Sequence, residues 1–470
     1  MVSSEMTDDG SGPVRSPGTG ASGGMPHGTR LDPFLEAYAE RARSMTSSEI
    51  RALFAVASRP EVVSLAGGMP FVSALPLDAV ADTFRRLIAE RGAQALQYGS
   101  GQGMEVLREQ IVAALMPLVG VHAHPDDVVV TVGSQQGLDI VTRILCDPGD
   151  IIVAEAPSYV GALSVFAAYQ AEVVHVPMDG DGLDPDALAE TFRQLAAAGR
   201  RPKFLYTVPS FHNPAGVTQG PDRRRAVLDT CQAFGVPIVE DDPYGLLGFD
   251  GEVPRALRAD DAESVLYLGS FSKTFSPGLR VGWVVAPHGV REKLVLATEA
   301  SVLCPPQLSQ LAVSAYLAEQ PWWDQVKVFR ELYRERRDAL ISAVQSHFPA
   351  ETTWTTPSGG FYSWVTLPEG LDSSSMLPRA VTARVAYVPG SAFYAGNAKR
   401  LGKRSLRLSY CFPDPDRIRE GVRRLAGVIE SELELVHTFG SPVAHTDPAL
   451  SARDNARIAG QSQAPGPATE

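Results

Sequence analysis

A lysine set among hydroxyl side chains and followed by an arginine is the sharpest chemical feature of the sequence. Residues 269–280 read Gly-Ser-Phe-Ser-Lys-Thr-Phe-Ser-Pro-Gly-Leu-Arg and follow an apolar run. The hydroxyls of Ser270 and Ser272, with the guanidinium of Arg280, can hold a phosphate dianion. The amine of Lys273 can bond covalently to an aldehyde, and burial beside cations would keep that amine nucleophilic. Taken alone, a polar surface loop could have the same composition.

A glycine-rich turn at residues 133–137 offers a second place for an anion. It reads Gly-Ser-Gln-Gln-Gly and lies between the β-branched run Val128–Val132 and a helical apolar pattern. Its backbone N–H groups would then form a helix N-terminus, where the helix dipole favours negative charge. Many turns of this kind are glycine-rich for steric reasons, so the turn alone does not establish a site.

Three carboxylates, Glu240, Asp241 and Asp242, follow the apolar pair Ile238–Val239. Burying a carboxylate is unfavourable unless it meets a cation, and a protonated pyridine nitrogen is one such partner. A loop that merely caps the next element is the alternative interpretation.

An asparagine, Asn213, follows the apolar run Phe204–Val208 and is flanked by prolines. Its side-chain amide can donate a hydrogen bond to a phenolate oxygen, and the prolines restrict its direction. The preceding His212 is interpreted as a hydrogen-bonded loop residue and is not selected for catalysis.

The elements that must position these residues are short apolar strands separated by helical patterns. Seven strands are predicted, at residues 128–132, 151–154, 172–176, 204–208, 236–239, 265–268 and 281–285. Such alternation predicts an α/β fold with a mostly parallel sheet covered on both faces. Ligands of open α/β sheets bind beyond the carboxyl ends of the strands, where the segments above lie.

The pattern changes at Trp322, where a long amphipathic helix begins. Strands at 361–365, 386–388 and 405–409 and a closing helix then predict a smaller α+β domain. Both ends of the chain are poor in apolar residues and are expected to stay outside the fold. The predicted division is a disordered tail at 1–30, a small-domain segment or active-site cover at 31–75, a large domain at 76–320, a small domain at 321–435 and a disordered tail at 436–470.

Composition excludes several classes of protein. The 470 residues are 44% hydrophobic and carry a formal charge of −12, so neither a nucleic-acid nor an anionic-membrane surface is expected. Four scattered cysteines without a CxxC pair argue against a disulfide framework and a metal site. The acidic opening residues do not resemble a secretory signal, so a cytoplasmic protein is expected.

Taken in order, the four chemical segments resemble the fold type I, class I/II pyridoxal-phosphate aminotransferases, and within them the kynurenine/2-aminoadipate aminotransferase-like group. The resemblance covers about 47–434 and extends to further motifs. These are Ser48-Glu49-Ile50-Arg51, Ser64-Leu65-Ala66-Gly67-Gly68-Met69-Pro70, Leu96-Gln97-Tyr98, Glu155-Ala156-Pro157-Ser158-Tyr159, Pro357-Ser358-Gly359-Gly360-Phe361 and Arg407-Leu408-Ser409-Tyr410. The implied fold is a large domain with a mostly parallel seven-stranded sheet and a smaller α+β domain.

The resemblance implies a cofactor, pyridoxal 5′-phosphate, and a role for each residue around it. Lys273 would form the internal aldimine and move a proton between the substrate Cα and the cofactor C4′. Asp241 would pair with the pyridinium nitrogen, which keeps the ring an electron sink. The remaining cofactor contacts implied are Tyr244 and Asn213 at the phenolic oxygen, Tyr159 on the ring face, and Ser134, Gln135, Ser270, Ser272 and Arg280 around the phosphate.

Substrate and partner residues are also implied by the resemblance. Arg407 would clamp the substrate α-carboxylate through two parallel hydrogen bonds. Arg51 and Gly68 match positions near the substrate side chain, although an arginine on an N-terminal helix is usually solvent-facing. Tyr98 would reach the phosphate in a neighbouring subunit, which implies a homodimer with shared sites. Ala215 departs from the commoner Asn-Pro-Thr-Gly pattern, which leaves the amino-acid specificity open.

The predicted function is transfer of the α-amino group of an L-amino acid to a 2-oxo acid, with 2-oxoglutarate as the expected acceptor, in a ping-pong cycle. Two alternatives use the same scaffold. One is another pyridoxal-phosphate reaction, such as elimination, decarboxylation or oxidation, since the fold does not choose among outcomes. The other is a transcription regulator with an aminotransferase-like domain, which the short, Gly/Ser-rich start and the acidic charge disfavour.

Overall fold

The computed structural model describes residues 34, 36–43, 59–251 and 253–440. The expected N-terminal tail, Arg51 and residues 441–470 lie outside these ranges. Among the described helices, none has the length and apolar content that crossing a membrane requires.

Strands in the described residues form three sheets. They are β1 Val63–Ser64, β2 Val128–Thr131, β3 Ile151–Ala156, β4 Glu172–Asp179, β5 Gly182–Leu183, β6 Pro202–Thr207, β7 Ile238–Asp241, β8 Val265–Ser270, β9 Gly282–Val285, β10 Thr353–Trp354, β11 Tyr362–Thr366, β12 Val385–Ala386, β13 Val388–Pro389 and β14 Ser405–Ser409. The main sheet has the order β2-β9-β8-β7-β6-β3-β4-β5.

All seven predicted strands are present in the main sheet, and the mostly parallel direction is confirmed. The pairs that join β4, β3, β6, β7 and β8 are all parallel. Strand β9 is antiparallel to both of its neighbours. The expected count of seven is wrong by one, because the two-residue β5 adds an antiparallel edge strand to β4. A strand of two residues is too short to show alternation or an apolar run.

Helices cover both faces of this sheet. Those that begin at Ser134, Val160 and His288 share one apolar cluster with alternate residues of the strands, such as Phe204 and Tyr206. Those that begin at Pro185 and Pro221 share a second cluster with the intervening residues, such as Leu205. The described α-helices are Glu40–Arg43, Leu77–Ala95, Glu105–Gln110, Ser134–Leu145, Val160–Ala168, Pro185–Ala197, Pro221–Phe234, His288–Val302, Gln307–Glu319, Trp322–His347, Ser373–Thr382 and Pro415–Phe439.

A smaller antiparallel sheet, in the order β10-β11-β14-β13, follows the long helix Trp322–His347. That helix packs against the closing helix Pro415–Phe439, which continues past residue 435, the expected end of the small domain. Strand β1, from the N-terminal part of the chain, pairs in parallel with β12. Strand β1 therefore lies with the C-terminal part of the chain, although it comes early in the sequence.

Candidate active site

A cavity of about 340 Å³ lies at the carboxyl ends of the main-sheet strands. Because β2, β3, β6, β7 and β8 run in the same direction, the segments that follow them open at one edge of the sheet. Residues that line the cavity are Gly68, Met69, Ser134, Gln135, Tyr159, Val160, Val208, Asn213, Asp241, Pro243, Tyr244, Ser270, Ser272, Lys273, Pro277, Arg280, Tyr362 and Arg407.

The amine of Lys273 points into this cavity from the loop after β8. Its Nζ donates a hydrogen bond to the carbonyl oxygen of Gly68 at 2.8 Å and lies 5.5 Å from the centre of the Phe361 ring. Burial, with smaller contributions from the guanidinium groups of Arg407 and Arg280, lowers the pKa of Lys273 to about 8. A larger fraction of this lysine is therefore neutral and nucleophilic near neutral pH than of an exposed lysine.

The carboxylate of Asp241, the last residue of β7, is buried on the cavity wall. Its Oδ2 accepts a hydrogen bond from the hydroxyl of Tyr206 at 2.8 Å. Its Oδ1 is buried and has no hydrogen-bond partner within the described chain. Burial raises the pKa of Asp241 to about 7, against the hydrogen bond from Tyr206, which lowers it. A cationic N–H donor bound in the cavity would pair with this buried Oδ1 atom.

An anion cradle forms where the turn after β2 meets the loop after β8. Arg280, at φ +54°, directs its guanidinium to the Val132 carbonyl at 3.1 Å and to the Ser272 hydroxyl at 3.5 Å. Gly133, at φ +75°, precedes the helix that begins at Ser134. A Cβ atom at Gly133 would lie 2.3 Å from Nη2 of Arg280, so only glycine lets the arginine approach this helix N-terminus.

The guanidinium of Arg407, on β14 of the small sheet, enters the same cavity and is buried. It donates to Oδ1 of Asn213 at 2.9 Å and to the carbonyl oxygen of Ala66 at 2.7 Å. Its centre lies 4.1 Å from the centre of the Tyr362 ring. Because the Asn213 oxygen is taken by the arginine, the amide NH₂ is left for another acceptor. The Nε of Arg407 is buried without a partner in the described chain.

Three tyrosines shape the remaining walls. Tyr159 donates to Oε1 of Gln135 at 3.2 Å. Tyr244 donates to the hydroxyl of Tyr362 at 3.4 Å, and their rings meet edge to face. A Cβ atom at Gly68 would lie 2.2 Å from the Tyr362 hydroxyl, so the tyrosine fills the space that a side chain at Gly68 would need.

The structure brings together all but two of the residues singled out from the sequence. Tyr98 is 75% exposed and does not line the cavity, and Arg51 lies outside the described residues. Two contributors were missed. Tyr206 is hidden by the apolar pattern of β6, and Tyr362 follows the Gly359-Gly360-Phe361 motif, which was the only signal that could have indicated it.

Comparison with known proteins places this geometry in a family. The family model for aminotransferase class I and II matches residues 60–425. An aromatic-amino-acid aminotransferase of Thermococcus litoralis is 39% identical over 399 residues, which cover 84% of this chain and 95% of that protein. A 2-aminoadipate transaminase of Thermus thermophilus is 38% identical over 406 residues, covering 85% and 98%. The solved structure of a Pyrococcus horikoshii kynurenine aminotransferase with PMP superposes with a TM-score of 0.81 at 38% identity, covering 85% and 98%.

The chain belongs to the class I and II aminotransferases, which have the fold type I architecture. It is a pyridoxal-phosphate-dependent aminotransferase of the kynurenine/2-aminoadipate group. The residues present fit this cofactor, because the unpaired Oδ1 of Asp241 suits a ring N–H and the Arg280 cradle suits a phosphate.

Proposed function

We propose that this enzyme moves the α-amino group of an L-amino acid to a 2-oxo acid in two half-reactions, with 2-oxoglutarate as the second substrate. The observation that carries the proposal is one cavity that holds the Lys273 amine, an unpaired Asp241 oxygen and two arginines, Arg280 and Arg407. Arg280 suits the cofactor phosphate and Arg407 suits a substrate carboxylate, so each anion would have its own guanidinium group as hydrogen-bond donor.

Cofactor binding is assigned to the residues at the strand ends. Asp241 would hold the protonated ring nitrogen, and Lys273 would hold the cofactor covalently. The phosphate would lie among Ser134, Gln135, Ser270, Ser272 and Arg280, with Tyr159 against the ring face and Asn213 and Tyr244 at the phenolic oxygen. Pyridoxal phosphate supplies an aldehyde that accepts the amine and a cationic ring that withdraws the electron pair left at Cα.

Substrate orientation is assigned to Arg407. Its guanidinium is fixed by Asn213 and by the Ala66 carbonyl, so a carboxylate bound to its remaining N–H groups would have one orientation. Lys273, freed by the incoming amine, would take the proton from the substrate Cα at Nζ and deliver it to the cofactor C4′. Its lowered pKa makes Nζ a base in the range near pH 8.

The substrate side chain is expected near Gly68 and Met69, which line the cavity. We retain Arg51 as the residue that would meet an acidic side chain. The relatives named above act on aromatic amino acids, 2-aminoadipate or kynurenine by their names, and these are the donors to test first.

The assembly and the domain division belong to the same proposal. We propose a homodimer in which Tyr98, exposed in the single chain, completes the partner's phosphate site. The domain division keeps residues 31–75 with the small domain, which the pairing of β1 with β12 supports. A cytoplasmic location remains a prediction.

The test is a panel of L-amino acids with 2-oxoglutarate, in which both the new amino acid and the new 2-oxo acid are measured. Transfer predicts equal amounts of glutamate and of the 2-oxo acid derived from the donor. Ammonia or carbon dioxide without paired glutamate would reject transfer in favour of elimination, oxidation or decarboxylation. Comparing aromatic and acidic donors in the wild type and in Arg51→Ala tests that arginine, whose loss should weaken acidic donors selectively.

A further inference from the structure

A histidine and a glutamate are buried against each other behind the loop that carries Asn213. The Nε2 atom of His212 lies 3.0 Å from Oε2 of Glu155, and the two side chains are 1% and 0% exposed. Neither residue lines the cavity. The chemistry proposed above uses neither of them, although a buried carboxylate is retained only where it is well paired.

The hydrogen bond at Nδ1 of His212 determines which of the two ring nitrogens carries the proton. The backbone N–H of Ala215 donates to Nδ1 at 3.1 Å. Because Nδ1 accepts, the ring proton lies on Nε2, which is 3.0 Å from Oε2 of Glu155 but has no hydrogen bond of regular geometry within the described chain. The histidine therefore connects the turn after Asn213 to a fixed carboxylate on β3.

The Glu155 carboxylate accepts hydrogen bonds from both ends of the loop that carries Asn213. Its Oε1 accepts from the Thr207 hydroxyl at 2.6 Å and from Nε2 of Gln219 at 3.2 Å. Its Oε2 accepts from the backbone N–H of Val208 at 2.9 Å. Thr207 ends β6, and Gln219 precedes the next helix, so one carboxylate anchors both ends of the segment between them.

The backbone of His212 also closes the turn that follows it. Its N–H donates to the Val217 carbonyl at 2.8 Å, and the Gly216 N–H donates to its carbonyl at 2.6 Å. The next residue, Asn213, is 4% exposed and accepts from Arg407 at 2.9 Å. A displacement of the imidazole would therefore move Asn213, and with it the arginine that faces the substrate.

We propose that His212 and Glu155 are positioning residues for amine transfer, which set the direction of the Asn213 amide and the place of the Arg407 guanidinium. This inference rests on the proposed function, because it concerns how the same site is held. It assigns a role to the glutamate of the Glu155-Ala156-Pro157-Ser158-Tyr159 motif and to a histidine that sequence reasoning set aside.

Two substitutions at His212 separate its two contacts. His212→Asn keeps an oxygen near Nδ1 that can accept from Ala215, but it is too short to reach Glu155. His212→Gln keeps a donor near Nε2 for Glu155 and loses the acceptor for Ala215. Glu155→Gln removes the charge with little change in shape. The matched control is His175→Gln, since His175 contacts the Glu155 carbonyl oxygen at 2.8 Å and accepts from the Ala395 N–H at 2.9 Å.

The holoenzymes are compared by two measurements and by their melting temperatures. The first is the pH midpoint of the visible absorbance of the bound cofactor without substrate. A donor aimed at the phenolic oxygen lowers the affinity of that oxygen for a proton, so misplacing Asn213 should raise the midpoint. The second is KM against kcat for the best amino acid of the panel.

We expect His212→Asn and Glu155→Gln to raise the midpoint and to raise KM about tenfold, the effect of one weakened hydrogen bond to a charged group. Their kcat should fall less than KM rises. His212→Gln should show smaller changes in the same direction, and His175→Gln should leave the midpoint unchanged.

Variants that melt at lower temperature but keep the wild-type midpoint and KM would overturn the proposal and leave the pair a purely structural role. An equal shift in His175→Gln would overturn it as well. His212→Gln, the mildest change, decides the matter if the other variants do not fold. A wild type that binds no pyridoxal phosphate or forms no paired product would reject the proposed function instead.

Discussion

Asp241 presents a buried oxygen atom that a bound cation would pair. Its Oδ1 is buried without a partner in the described chain, and burial raises its pKa to about 7. A cationic ring nitrogen would restore the ionised form, and the carboxylate would keep that nitrogen protonated. The ability of the ring to withdraw electrons would therefore depend on this one side chain.

Replacing Asp241 with asparagine should lower kcat about a hundredfold or more, because breaking a buried charge pair costs roughly 3 kcal/mol or more. The kinetics of the amino-acid half-reaction measure this effect directly. Asp242→Asn is the matched control. Asp242 is a buried neighbour that accepts hydrogen bonds from the Tyr267 hydroxyl and the Gly245 N–H, and it does not line the cavity. Similar losses in both variants would contradict the role of Asp241.

The pKa of Lys273 predicts how the cofactor-free enzyme captures pyridoxal phosphate. The neutral amine is the nucleophile, and burial lowers the pKa of this lysine to about 8. The rate of capture should therefore rise as the pH passes through about 8 and then level off. A rate that keeps rising towards the pKa of an ordinary lysine, about 10.4, would show that the amine is not desolvated.

At this scale the sequence predicted most of the side chains that line the cavity, since most of them follow an apolar strand and have a distinctive chemistry. It did not predict their pairings. Asn213 and Arg407 are 194 residues apart, and no local pattern states that their side chains touch. His212, interpreted from the sequence as a hydrogen-bonded loop residue, lies beside Glu155 of β3, a partner that no local pattern indicates.

Among the elements, the helix N-terminus at Ser134 packs closely against the start of β9. A Cβ atom at Gly282, the first residue of β9, would lie 2.5 Å from the backbone nitrogen of Ser134. Because this backbone would have to move, the cradle for the phosphate would be displaced.

Gly282→Ala should therefore weaken pyridoxal-phosphate binding about tenfold or more, consistent with the roughly 1–3 kcal/mol that overpacking costs. Titration of the cofactor-free enzyme measures this affinity. Gly289→Ala, in open space on the following helix, is the control and should keep the wild-type affinity. If both variants bind equally well, the cradle does not depend on this contact.

Seven of the eight strands of the main sheet were predictable because each of these seven is a short, largely apolar run bounded by a turn. The directions of these strands were harder to predict. Strand β9 reverses after β8 because only a loop and a short turn, Pro277–Leu279, connect them, whereas a parallel partner needs a longer crossover. The edge strand β5 comprises two residues that no periodicity reveals.

For the whole molecule, the open question is whether two chains share their sites. Tyr98 is 75% exposed, which suits a residue that serves a neighbour. A hybrid of a Lys273→Ala chain and a Tyr98→Ala chain would contain one site with both wild-type residues.

Mixed dimers formed by co-expression should therefore show one site with wild-type cofactor affinity and activity, although each parent dimer is impaired. Kinetics on the isolated hybrid measure this recovery, and the two parent homodimers are the controls. If the hybrid merely averages its parents, Tyr98 does not act across subunits.

The change of pattern at Trp322 indicated a second domain, and the small antiparallel sheet lies where it was expected. The return of β1 to pair with β12 could not be foreseen from local patterns, because neither two-residue strand stands out in the sequence. This long-range pairing brings the Gly68 carbonyl next to Lys273.

The most direct test of the account is reduction of the yellow holoenzyme with borohydride, followed by mass spectrometry of its peptides. A covalent bond between the enzyme and its aldehyde cofactor becomes permanent on reduction. We predict one pyridoxyl adduct per chain, on Lys273, which is abolished when excess amino donor is added before reduction. An adduct on another lysine, or none on a cofactor-saturated protein, would contradict the central claim.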